Sequence, residues 1–139
     1  RKIMLEHFAE LHNSGLKCGV FINKNLTHEQ ENQVLSNSKV ALNIHDYYQR
    51  VLGEKYRDDN ERTFKSLGLT GVLVCDKVAQ VENEFPDLEF YETPKQMVEL
   101  IKHYVEMPSD ELEEVKKKNR ELINNEHTYI KRVEQLMEL

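Results

Sequence analysis

Four short apolar runs, at residues 17–22, 38–44, 72–75 and 88–91, alternate with stretches whose apolar residues recur at helical spacing. This alternation leaves few folds open. Parallel strands are buried on both faces, read as near-continuous apolar segments and need crossover connections, so the pattern predicts an α/β fold: a parallel sheet flanked by helices, followed by three C-terminal helices.

Local signals set the helix limits. Met4, Phe8 and Leu11 share one helical face over residues 1–14, and Asn13-Ser14-Gly15 stops it. Thr27 and Gln30 have capping-box spacing and open a brief helix through Val34 and Leu35. Asp58, Asp59 or Asn60 caps a helix that ends at glycine in the Gly68-Leu69-Thr70-Gly71 turn, with Asp58 and Glu61 again at capping-box spacing. Val78, Val81 and Phe85 mark a short helix before Pro86. Thr93 as cap, Pro94 at the first helical position and Gln96 completing the box start an amphipathic helix that turns Met97, Val98, Ile101, Tyr104 and Val105 inward. A charged helix then runs from Pro108-Ser109 to Asn124-Asn125, and a terminal packing helix over 126–139 carries Tyr129, Ile130, Val133, Leu136 and Met137.

The chain, 139 residues long, suffices for one domain with its own core, and 39% hydrophobic with 32% charged residues is soluble composition. A net charge of −6, with basic residues interleaved among acidic ones, argues against general nucleic-acid binding, which needs clustered Lys and Arg. A small anionic ligand needs only one local cationic pocket. Cys18 and Cys75 fall in apolar runs and read as buried free thiols, which fits a reducing compartment. No signal peptide and no apolar run near ~18 residues appears, so a cytoplasmic location without a membrane span is the default. Arg1 opens the chain inside a helical pattern without Met, as expected for a fragment of a longer protein.

In parallel sheets ligands bind outside the carboxyl ends of the strands. The polar residues expected there are Asn23 and Lys24, His45 and Asp46, Asp76 and Lys77, and Glu92 and Thr93. The helix from Asn60 would point its free N–H groups and positive dipole end into this crevice beside Arg62. Arg62 and Lys65, three apart, can project from one face and suit a diphosphate; the plainer alternative is an exposed Glu61–Lys65 pair with Arg62 solvated. His45 either meets a ligand or bonds a neighbouring loop, and Asp76 is either catalytic or caps the following turn. The aromatic and basic segment between residues 47 and 59, with Tyr47 and Tyr48 at its start, has no clear period, and loops of that length are usually functional. The remaining histidines show no i,i+4 pairing or Cys partner, so no metal is expected.

Four linked segments carry a family resemblance: Ser38-Lys39-Val40-Ala41-Leu42-Asn43-Ile44-His45; Asn60-Glu61-Arg62-Thr63-Phe64; Leu67-Gly68 with Gly71-Val72-Leu73-Val74-Cys75-Asp76; and Glu126-His127-Thr128-Tyr129 with Arg132. In order and spacing, over about residues 35–139, they resemble the CgeB-like glycosyltransferase domain. The resemblance implies the C-terminal, donor-binding, Rossmann-like half of a GT-B glycosyltransferase. Its donor would be a nucleotide-diphospho-sugar, with Arg62 on the diphosphate, His45 and Asn60 lining the cleft, and no further cofactor. The acceptor would be held by an N-terminal domain of the same protein, and a first strand of the sheet would precede Arg1, so the isolated fragment should be a poor catalyst. Two positions depart from the family pattern. Lys65 stands where members commonly carry the Glu that binds the donor ribose, and Thr70-Gly71 replaces a Gly-Gly pair. A cation cannot accept hydrogen bonds from ribose hydroxyls, so either Lys65 serves the phosphates or nucleotide binding is weakened.

Two rivals stand beside this reading. One is a degenerate donor domain kept for interaction or scaffolding, motivated by Lys65 and Thr70. The other is a phospho-receiver-like domain suggested by Asp46 and Asp76, which lacks an acidic pair after its first strand, where Asn23-Lys24 stands.

Overall fold

The structure, a computed structural model, describes residues 2–21, 24–45 and 60–138. Its elements in chain order are α1 (Lys2–Asn13), α2 (His28–Ser36), β1 (Ala41–Asn43), α3 (Glu61–Leu69), β2 (Leu73–Asp76), α4 (Ala79–Glu84), β3 (Phe90–Tyr91), α5 (Pro94–Glu106), α6 (Ser109–Glu126) and α7 (Tyr129–Met137).

The strands form a parallel sheet in the order β1-β2-β3, with Ala41 opposite Leu73, Asn43 opposite Cys75 and Asp76 opposite Tyr91. All four residues of the central strand are buried, as a parallel strand covered on both faces requires. Successive side chains of β2 feed two cores. Leu73 and Cys75 join Leu67, Val81, Phe85 and Ile123 on one side. Val74 joins Leu11, Tyr91, Met97, Val98 and Ile101 on the other. The result is the Rossmann-like α/β architecture, with helices on both faces and further helices at the C-terminal end.

The caps follow the sequence. Thr27 and Thr93 both form reciprocal capping boxes, with Gln30 and Gln96, and Pro94 occupies the first turn of α5. Helix α3 passes through Gly68 and ends at Thr70 and Gly71, whose N–H groups both donate to Ser66 O, at 2.9 and 3.3 Å. Gly71 has φ +80°, and a Cβ there would lie 2.7 Å from Lys116 Cα, so glycine lets α6 pass directly over the turn. Helix α6 in turn satisfies the carbonyls that α3 leaves open: Arg120 Nη2 donates to Leu69 O at 3.0 Å and Asn119 Nδ2 to Gly71 O at 2.8 Å. Thr70 is buried, and its hydroxyl donates to Leu35 O at 2.9 Å, fastening α3 to α2.

Several expectations need correction. Residues 16–21 lie in neither helix nor strand, Val20 and Phe21 are about half exposed, and Cys18 is exposed rather than buried; Ile22 lies outside the described residues. The physical reason is that no described strand pairs with this run or with the outer edge of β1, so its apolar side chains have no ladder to enter. The runs at 38–44 and 88–91 contribute only Ala41–Asn43 and Phe90–Tyr91 to the sheet. Helix α6 continues beyond Asn124-Asn125 to Glu126. On α7, Tyr129, Ile130, Val133, Leu136 and Met137 are all exposed, while Arg132 lies 4.7 Å from the ring centroid of Phe64.

Candidate functional site

The carboxyl ends of β1 and β2 and the first turn of α3 bring three of the expected residues close, in two separate bonded groups. In the first, Asp76 closes β2 and His45 follows β1, both almost fully buried. Asp76 Oδ1 accepts from the His45 backbone N–H at 2.9 Å and sits 2.8 Å from His45 Nδ1. An ionised carboxylate only accepts, so Nδ1 carries the proton and Nε2 is the ring nitrogen left to meet something else. His45 Nε2 is buried and has no partner among the described residues. Asp76 therefore holds the histidine.

In the second group, Asn60 is the N-cap of α3, but its side chain makes no cap hydrogen bond. Its Oδ1 accepts from Asn43 Nδ2 at 3.0 Å, and the same nitrogen reaches Thr63 Oγ1 at 3.2 Å. Of the three candidate caps, Asn60 holds the N-cap position of α3, and Asp58 and Asp59 lie outside the described residues.

Arg62, in the first turn of α3, is exposed and makes no ion pair among the described residues. It borders a cavity of about 1140 Å³ that runs along the outer side of β1, lined by Leu42 and Ile44 from the strand region, Phe8 and Leu11 from α1, Val34 and Leu35 from α2, and Lys24. Lys65 is engaged by α2: its Nζ lies 2.6 Å from Glu31 Oε2, and no Glu61–Lys65 pair is formed among the described residues.

Of the other crevice residues, Lys77 pairs with Glu82 at 3.3 Å and Thr93 is occupied as the cap of α5. Asn23, Asp46, Tyr47 and Tyr48 lie outside the described residues. Sequence reasoning missed Asn43, Thr63 and Glu31. One signal was present for the first: a polar side chain inside the apolar run Val40-Ala41-Leu42-Asn43-Ile44 must find a buried partner.

The carboxyl ends of the parallel sheet meet a helix N-terminus beside an arginine that makes no ion pair among the described residues, and helix ends so placed are where α/β sheets can take up anions. Comparison with known families carries this further: the Glycosyl transferase-like family model matches residues 1–138. The chain belongs to that family and is a glycosyl-transfer domain. No curated protein and no solved structure matches it at a significant level. No helix among the described residues is long and apolar enough to cross a membrane.

Proposed function

We propose that the chain is the donor-binding half of a GT-B glycosyltransferase of the CgeB-like type, and that it binds a nucleotide-diphospho-sugar at the N-terminus of α3. The observation that carries this reading is Arg62: an exposed cation in the first turn of a helix whose N-cap side chain makes no cap bond, set on the rim of a large cavity. Such a helix end offers amide donors, dipole and guanidinium together. During glycosyl transfer these groups would stabilise the charge that develops on the leaving diphosphate, without calling on a metal ion. His45, held by Asp76, would present Nε2 to the same cleft. The base that activates the acceptor would come from an acceptor-binding domain of the same protein. A cytoplasmic location, where nucleotide sugars are met under reducing conditions, suits the exposed thiol of Cys18.

One observation favours a second reading. Lys65 stands where the CgeB-like resemblance expects a ribose-binding Glu, and its charge is engaged by Glu31. On that account the domain is degenerate and serves interaction or scaffolding. Calorimetric titration of the full-length protein with uridine- and guanosine-diphosphate sugars separates the two. Saturable binding supports the transferase, and no binding at millimolar ligand supports the degenerate domain.

A further inference from the structure

We propose that Asn43 is a positioning residue for the diphosphate site, holding the N-terminus of α3 in the orientation that leaves its amides open to the anion. This rests on the donor-binding reading and deepens it, because that reading needs only Arg62 and the helix end.

Asn43 is the last residue of β1 and is 2% exposed, in surroundings where an unbonded amide is costly. Its Nδ2 donates both to Asn60 Oδ1 and to Thr63 Oγ1, the N-cap and the third residue of α3. An N-cap asparagine ordinarily uses its side-chain oxygen on an N–H of its own first turn. Asn60 gives that oxygen to the strand instead. The Thr63 N–H is taken by Asn60 O at 3.0 Å, and the N–H groups of Glu61 and Arg62 have no acceptor among the described residues. Two more polar atoms of this group, Asn43 Oδ1 and Asn60 Nδ2, are buried and likewise lack a partner among them. The sheet has thus taken over the job of fixing the helix end, so the helix does not spend its cap oxygen on its own donors.

A tether of this kind acts on the part of a ligand that meets the α3 amides and leaves the rest untouched. Its loss should therefore reduce preference for a diphosphate without reducing affinity in general. Uridine and guanosine diphosphates, and the matching monophosphates, are titrated calorimetrically into the full-length wild type and the variants Asn43→Ala, Asn60→Ala and Arg62→Ala. The diphosphate-to-monophosphate affinity ratio is expected to fall by about tenfold in both asparagine variants, with monophosphate affinity unchanged. A purely structural asparagine would lower both affinities together and keep the ratio, which overturns the inference. If Asn43→Ala fails to fold, Asn60→Ala, which breaks the same link from a less buried position, decides alone. If wild type binds a diphosphate and Arg62→Ala weakens it while the asparagine variants keep the ratio, the site stands and the positioning role falls. If wild type binds neither diphosphate, the site fails and takes the positioning role with it.

Discussion

His45 and Asp76 are joined twice through one carboxylate oxygen, which accepts from both the backbone N–H and the ring Nδ1 of the histidine. Both side chains are fully inaccessible, so the link ties the ends of β1 and β2 together in a place where water cannot substitute for a lost partner. Asp76→Ala should cost about 1–3 kcal/mol of stability in urea denaturation, the scale of leaving buried donors without their acceptor. A loss below about 0.5 kcal/mol would mean that the two residues are merely neighbours.

Two glycines with positive φ should respond very differently to alanine. A Cβ on Gly71 (φ +80°) would lie 2.7–2.9 Å from Cα, Cβ and O of Lys116, whereas one on Gly15 (φ +72°) would meet nothing within 4 Å. Gly71→Ala combines backbone strain with overpacking and should destabilise by about 3 kcal/mol or more, while Gly15→Ala should cost only about 1 kcal/mol. Equal denaturation midpoints for the two variants would contradict the close approach of α6 to the end of α3.

These contrasts indicate what the sequence could disclose. Capping boxes at Thr27–Gln30 and Thr93–Gln96 span four residues each, so their physics is local and legible. The parallel sheet was legible too, because doubly buried strands leave apolar runs. The run at 17–22 misled, since an apolar segment becomes a strand only where a neighbour offers a ladder, and composition does not say where that neighbour lies. At the candidate site, Arg62 and the N-terminus of α3 could be read from spacing. The partnerships Asn43–Asn60, His45–Asp76 and Glu31–Lys65 could not, because each joins residues 17 to 34 positions apart through the arrangement of the sheet.

Glu31 and Lys65 permit a charge-swap test. Lys65→Glu alone sets two carboxylates against each other and should cost about 1 kcal/mol, a modest figure because Glu31 is 45% exposed. Adding Glu31→Lys should restore stability. On the donor-binding account the double variant, with an acidic group returned to position 65, should bind uridine or guanosine diphosphate sugars more tightly than wild type. Weaker binding would show that Lys65 itself serves the ligand.

Tyr104 predicts a feature at alkaline pH. Burial chiefly, and then the charge of Glu89 and the hydrogen bond to it, push the phenol above its ordinary value. The fold thus favours the neutral phenol. Its contribution is complete below about pH 10 and is lost as pH rises through the folded-state value. Urea midpoints of wild type should therefore decline more steeply above about pH 10 than those of Tyr104→Phe. Parallel declines would place Tyr104 in water. Glu89→Gln should remove only part of the difference, since burial is the larger cause.

If the first turn of α3 receives the diphosphate of a sugar donor, as proposed, Arg62 is its most direct handle. Calorimetry of the full-length protein with a nucleotide-diphospho-sugar, comparing wild type with Arg62→Ala, should show affinity weakened by about 1.5–3 kcal/mol, the scale of a hydrogen bond to a charged group. The urea midpoint should stay unchanged, because Arg62 is exposed and pairs with no acidic group among the described residues. Equal affinities in the two proteins would contradict the account.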